Sequence, residues 1–131
     1  MRIRVLVAED IAVLRETLVA LLELEDDLEV VAAVARGDRV VPAALAHHPD
    51  VALLDIDLPG TDGLTAAADL RGRLPTCRVL LLTGLATPGS RSRALAVGAS
   101  GFLVKAGAAD DLVDAVRRAA RGERLFAGLP R

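Results

Sequence analysis

Five short apolar runs recur along the chain, at Ile3–Ala8, Leu28–Val34, Val51–Ile56, Val79–Leu82 and Gly101–Val104. They are rich in Val, Leu and Ile, and several are continuously apolar instead of alternating. That pattern suits strands buried on both faces of a parallel sheet. Between the runs, apolar residues return at helical spacing. In the first such stretch Leu14, Leu18, Leu21 and Leu22 share a face, with Arg15, Glu16 and Glu23 largely off it. The second, about 37–47, holds Pro42, which a helix accepts only in its first turn. Asp62 is placed to cap a third helix running to about Arg73, with Pro75 just past its end. A short fourth helix is predicted over 88–97. The fifth, about 109–121, turns Leu112, Val113, Val116 and Ala120 inward and stops at Gly122. Strand and helix alternate five times, which predicts an α/β fold: a (βα)5 doubly wound, five-stranded parallel sheet with right-handed crossovers.

Composition narrows the function. The 131 residues carry a net charge of -2, with no Trp or Tyr and two Phe. Neither a basic nucleic-acid surface nor an aromatic base-stacking platform fits that balance. One cysteine, Cys77, excludes an internal disulfide and a multi-cysteine metal site. No run approaches the ~20 apolar residues of a membrane span, and the apolar start is too short for a signal segment, so a cytoplasmic domain is the expectation. Lys105 is the only lysine among 16 basic residues, which asks what an arginine would not do there.

In an open parallel sheet, ligands bind beyond the carboxyl ends of the strands. Those ends deliver Glu9 and Asp10, then Asp55-Ile56-Asp57, then Thr83-Gly84, then Lys105. Three clustered carboxylates repel: one pair at ~4 Å in an effective dielectric of ~20 costs about 4 kcal/mol. Lys105 offsets part of that charge, and a hard divalent cation such as Mg²⁺ cancels the rest. The roles follow from this. Asp55 is the nucleophile toward a phosphoryl donor. Asp10 is a direct Mg²⁺ ligand, Glu9 acts through a metal-bound water, and Asp55 and the Asp57 backbone carbonyl supply further ligands. Thr83 offers a hydroxyl to a phosphoryl oxygen. Lys105 is a compact charge reaching across the pocket.

The set Glu9-Asp10, Asp55, Thr83 and Lys105, with Pro59-Gly60 and Asp62-Gly63 after the acceptor, resembles the receiver domain of two-component response regulators. The resemblance spans residues 1–122. The segments 55–64 and 98–105 are most similar to the NarL/FixJ family of transcriptional regulators. It implies a flavodoxin-like strand order of 2-1-3-4-5 and Mg²⁺-dependent phosphorylation of Asp55 by a sensor histidine kinase. It also implies a homodimer on phosphorylation and a switch in which Thr83 moves toward the phosphoryl group and Phe102 changes rotamer. Residues 123–131 resemble only the start of a linker to a DNA-binding, helix-turn-helix output domain. The chain is thus expected to be either a piece of a transcriptional regulator or a free-standing receiver. Ala106 follows the lysine where family members often have a cis proline. A cis Lys105–Ala106 bond would cost ~3 kcal/mol, which leaves the form of that loop open.

Two other functions compete. One is a phosphorylation-independent interaction module, against which the complete acidic pocket argues. The other is an enzyme: 53–57 also resembles the Asp-x-Asp motif of haloacid-dehalogenase-type phosphatases, with Asp57 as general acid/base. There the acid pair follows the nucleophile, whereas Glu9-Asp10 precede Asp55.

Overall fold

The computed structural model describes residues 2–105, 107 and 109–126. Five strands, β1 (Ile3–Ala8), β2 (Leu28–Val34), β3 (Val51–Asp55), β4 (Arg78–Thr83) and β5 (Gly101–Val104), alternate with five helices. These are α1 (Ala12–Glu23), α2 (Val40–His47), α3 (Gly63–Arg73), α4 (Pro88–Ala96) and α5 (Ala109–Ala120). All strand pairs are parallel, in the order β2-β1-β3-β4-β5. Both the doubly wound sheet and its order match the sequence expectation.

The continuous apolar strands are two-sided, as their pattern requires. On one face Leu6, Ala8, Leu54, Leu81 and Phe102 pack with Val40 and Ala44 of α2, Ala66, Ala67 and Leu70 of α3, and Ala94 of α4. On the other, Val5, Val7, Leu53, Leu80 and Leu82 meet Leu18 and Leu22 of α1 and Leu112, Val113 and Val116 of α5. Leu14 and Leu21 of the expected α1 face are only half-buried. Cys77 lies fully buried in the first cluster, where burial pushes its thiol pKa up to about 12, so it stays a neutral thiol.

Element ends differ from the apolar pattern where hydrogen bonds decide. The third run includes Ile56, but β3 ends at Asp55 because the Ile56 carbonyl leaves the ladder to accept from Gly63 N at 2.8 Å. In the second helical stretch a 3-10 turn, Gly37–Arg39, comes first, and α2 begins at Val40. Pro42 therefore falls in the first turn of α2, where its missing N–H costs nothing. Gly122 ends α5 with a left-handed φ of 88°. Beyond it the chain turns back: Leu125 forms a parallel bridge to Gly101, and Leu125 and Phe126 are buried. Among the described residues, no helix is long and apolar enough to cross a membrane.

Asp62 caps α3 as its position predicts, with Oδ1 accepting from Thr65 N at 2.8 Å and Oδ2 from Thr65 Oγ1 at 3.0 Å. The backbone donor holds the Asp62 carboxyl below its usual range. Asp62→Ala should cost about 1 kcal/mol of stability at neutral pH. Because the folded-state pKa is lowered, that contribution is complete above the ordinary Asp range and fades as pH falls through the lowered value. Denaturant midpoints of wild type and variant should differ at pH 7 and converge in acid.

Candidate functional site

The carboxyl ends of β1, β3, β4 and β5 bring Glu9, Asp10, Asp55, Thr83 and Lys105 to one edge of the sheet, as the sequence predicts. One carboxylate oxygen from each of Glu9, Asp10 and Asp55 lies within 4.8 Å of the others. Their environments differ. Glu9 is 0% exposed and Asp55 1%, whereas Asp10 is exposed. Although Asp55 stands at a strand end, where a side chain reaching solvent would be expected, it is covered.

Lys105 supplies the charge that makes this burial tolerable. Its Nζ donates to Asp55 Oδ2 at 2.8 Å and sits 2.9 Å from Glu9 Oε1. The second contact is an ion pair without hydrogen-bond alignment, so Glu9 Oε1 is a buried oxygen with no hydrogen-bond partner. The other oxygens are fixed by backbone: Asp57 N donates to Asp55 Oδ1 at 3.1 Å and Ile11 N to Glu9 Oε2 at 3.1 Å. Burial pushes the Glu9 carboxyl above its usual range, against the pull of Lys105 and of the Ile11 donor. Burial also disfavours the Lys105 ammonium, but its bonds to Asp55 and Glu9 outweigh that and raise its pKa.

Thr83 is buried, and its hydroxyl is engaged in the turn that follows β4. It donates to Leu85 O at 3.1 Å and accepts from Leu85 N at 3.3 Å. Phe102 is 1% exposed and points into the core. The Asp57 side chain is exposed. The Lys105–Ala106 bond lies outside the described residues.

Arg15 carries no signal in the sequence as a site residue, and Gly63 enters there only as part of the Asp62-Gly63 turn. Arg15, one turn into α1, donates from Nη1 to Glu9 O at 2.8 Å and reaches Asp10 O at 3.5 Å, fixing the backbone that presents both acids. Gly63 lies so close to β3 that a Cβ there would overlap the carbonyl oxygen of Asp55. Any side chain at 63 would push α3 off the loop that carries Asp55.

The arrangement fits a divalent cation on chemical grounds. Three carboxylates face one ammonium, and the buried Glu9 Oε1, whose one close partner is the Lys105 ammonium, adjoins the exposed Asp10. Oxygen donors of this kind suit Mg²⁺.

Comparison with known proteins gives a consistent result. Residues 5–117 match the family model of the response regulator receiver domain. The chain is 40% identical over 124 residues to the transcriptional regulatory protein YvfU of Bacillus subtilis, and 38% identical over 125 residues to DesR of the same organism. Each match covers 95% of this chain but 62% of the relative, so the chain spans less than two thirds of their length. Among solved structures, the signal receiver domain of NarL from Mycobacterium tuberculosis superposes with a TM-score of 0.90 at 38% identity. That match covers 93% of this chain and 98% of the other.

Removing the ammonium should expose the repulsion it offsets. Lys105→Ala leaves two buried carboxylates without a counter-charge, a change that typically costs ~3 kcal/mol. Glu9 has a raised folded-state pKa, so the cost of its charge grows as pH rises through that value and is relieved below it. Urea denaturation at pH 7 and pH 5 should therefore show the deficit of Lys105→Ala shrinking in acid. An equal deficit at both pH values would mean that the ammonium does not hold the carboxylates.

Proposed function

The chain belongs to the response regulator receiver domain family, and on that premise we propose that Asp55 is its phosphoacceptor. It is a signalling domain of two-component response regulators, not a metabolic enzyme. The observation that carries the assignment is Lys105 Nζ bound to Asp55 Oδ2 at 2.8 Å at the centre of the acidic cluster.

The donor is a phosphohistidine of a sensor histidine kinase. An Asp55 oxygen forms the new bond to phosphorus, and the P–N bond to the imidazole breaks with its electron pair leaving on nitrogen, which is then protonated. Asp55 becomes an acyl phosphate. Because Asp55 is covered, Lys105 first lets go of Oδ2 and then follows the transferred group, pairing with its oxygens. Thr83 exchanges its bonds to Leu85 for one to the phosphoryl group, and Phe102 takes up the space released. Asp10 would hold Mg²⁺ directly and Glu9 through a water, with Asp55 and the Asp57 carbonyl as the further protein ligands. When bound, Mg²⁺ supplies positive charge that offsets the carboxylates and the incoming phosphoryl oxygens.

Residues 1–122 form the receiver in this reading, and 123–131 lead toward an output domain. The similarity to YvfU and DesR supports a DNA-binding output and a role in transcription. The domain works in the cytoplasm, and phosphorylation favours a homodimer. Val13, 74% exposed on α1, offers part of an apolar surface for it, while Val19 is half-buried and contributes less.

Asp55→Ala should lose phosphorylation by acetyl phosphate entirely while keeping its far-UV circular dichroism. Intact mass reads the phosphoryl group directly, and unchanged labelling would refute the assignment.

Asp10→Ala should weaken Mg²⁺ binding more than Glu9→Ala does, by at least about tenfold against wild type, and chelation should block phosphorylation of all three proteins. Titration calorimetry distinguishes the two acids. Equal Mg²⁺ affinity in wild type and Asp10→Ala would remove Asp10 from the ligand set.

A further inference from the structure

The open edge of β5 is occupied by the chain's own continuation. Leu125 N donates to Ser100 O at 2.7 Å, and Phe102 N donates to Leu125 O at 3.3 Å, so residue 125 sits beside β5 like the start of a sixth strand. Side chains of neighbouring strand residues point to opposite faces. Accordingly Leu125 enters the cluster with Leu80 and Leu82, and Phe126 enters the cluster with Phe102, Ala94 and Ala99. The fit is close: a Cβ on Gly101 would lie 2.8 Å from Leu125 Cβ and 2.7 Å from Leu80 Cδ2. The Phe126 ring has a guanidinium at 5.7 Å from Arg91 of α4 and another at 5.6 Å from Arg124. Arg91 Nε is buried without a hydrogen-bond partner, so the Phe126 ring is what the Arg91 guanidinium meets there.

Of the two elements that hold this segment, one ends at the acidic cluster and the other follows the turn after β4. β5 runs into Lys105, which is bound to Asp55 and Glu9. α4 follows the turn in which the Thr83 hydroxyl is bound to Leu85. We infer that the edge of β5 and the adjoining face of α4 form a docking surface for residues Arg124–Phe126, occupied when Asp55 is free and vacated when it is phosphorylated. The inference rests on Asp55 being the phosphoacceptor. A phosphoryl group draws Lys105 inward, and with it the end of β5, away from Leu125. The bond at risk is the one from Phe102 N to Leu125 O, the longer of the two at 3.3 Å. When Thr83 leaves Leu85, the turn before α4 loosens and Arg91 shifts off the Phe126 ring. The two displacements act on opposite faces of the same three residues. The released segment is the start of the path toward an output domain, so its docking is a means of passing the state of Asp55 along the chain.

Beryllofluoride with Mg²⁺, a phosphoryl analogue, tests this on the full 131-residue chain. Amide exchange by NMR should accelerate at Leu125 and Phe102 by about fivefold or more on saturation, the lower end of ordinary coupling between sites, relative to the Leu81 amide in the interior of the sheet. Coupling of binding equilibria is reciprocal. Phe126→Ala, which loosens the segment from the other side, should therefore bind the analogue more tightly than wild type, and Phe126→Trp, which keeps a ring for Arg91, should restore wild-type affinity. Analogue binding with unchanged or slower exchange at the two amides overturns the docking inference alone, as does an unchanged affinity in Phe126→Ala. Absence of analogue binding in saturating Mg²⁺ overturns the phosphoacceptor assignment and this inference with it.

Discussion

One ammonium between two buried carboxylates sets the terms for this molecule. Asp55 and Glu9 stand at the ends of neighbouring strands with almost no exposure, and Lys105 Nζ lies within 2.9 Å of an oxygen on each. Without that charge the two acids would repel in a low-dielectric setting, where the interaction is several-fold stronger than in water. With it, β5 is tied at its end to β1 and β3, across a sheet in which it hydrogen-bonds directly only to β4. The end of this edge strand is thus held by an acid two strands away.

That arrangement separates stability from chemistry. The apolar strands and the two helix layers would hold the fold with most residues at the sheet edge changed. The edge itself concentrates groups that are costly to bury and incompletely satisfied: three carboxylates share one ammonium, and Glu9 Oε1 meets it as an ion pair without an aligned hydrogen bond. Incomplete satisfaction is what a cation or a phosphoryl group can exploit. Each new charge finds a partner already in place, so the response is a redistribution of contacts and not a rebuilding of the core. The Thr83 hydroxyl is engaged within its own turn, by two bonds to Leu85 that the proposed switch gives up for one.

Much of this was legible in the sequence, and the exceptions have physical causes. Strands buried on both faces leave an apolar run that needs no alternation to be recognised, so β1, β2 and β5 appear with their bounds intact. β3 and β4 shift by a residue at their ends because ladder hydrogen bonds, not hydropathy, decide where a strand stops. The residues of the site were legible because a parallel sheet sends every strand end to one edge. Their exposure was not: the covering of Asp55 depends on where a flexible lysine fifty residues away comes to rest. Arg15 was hidden for a related reason, since it acts on backbone carbonyls, which leave no complementary residue type in the sequence, and the Asp62-Gly63 pair was visible as a turn but not as a close approach to the Asp55 carbonyl. Residues 123–126 were read as the beginning of a linker. Their packing against β5 arises from an edge strand left open by the topology, which no local pattern encodes.

The same geometry explains the single lysine in an arginine-rich chain. Both oxygens that Lys105 serves belong to different side chains on different strands, and a compact ammonium with three donors can sit between them. A guanidinium presents a flat fork suited to two oxygens of one carboxylate. It would satisfy Asp55 or Glu9, but in this enclosed space it would force the other acid aside. Arg117 shows the contrast within this protein: on the surface, its fork grips both oxygens of Asp27 at 2.9 and 2.8 Å while also reaching Glu25 at 2.7 Å. There the partners are free to arrange themselves around the fork. At the sheet edge the carboxylates are fixed by backbone donors from Asp57 and Ile11, so the cation must adapt to them, and a flexible stem ending in a small charge is the side chain that does so.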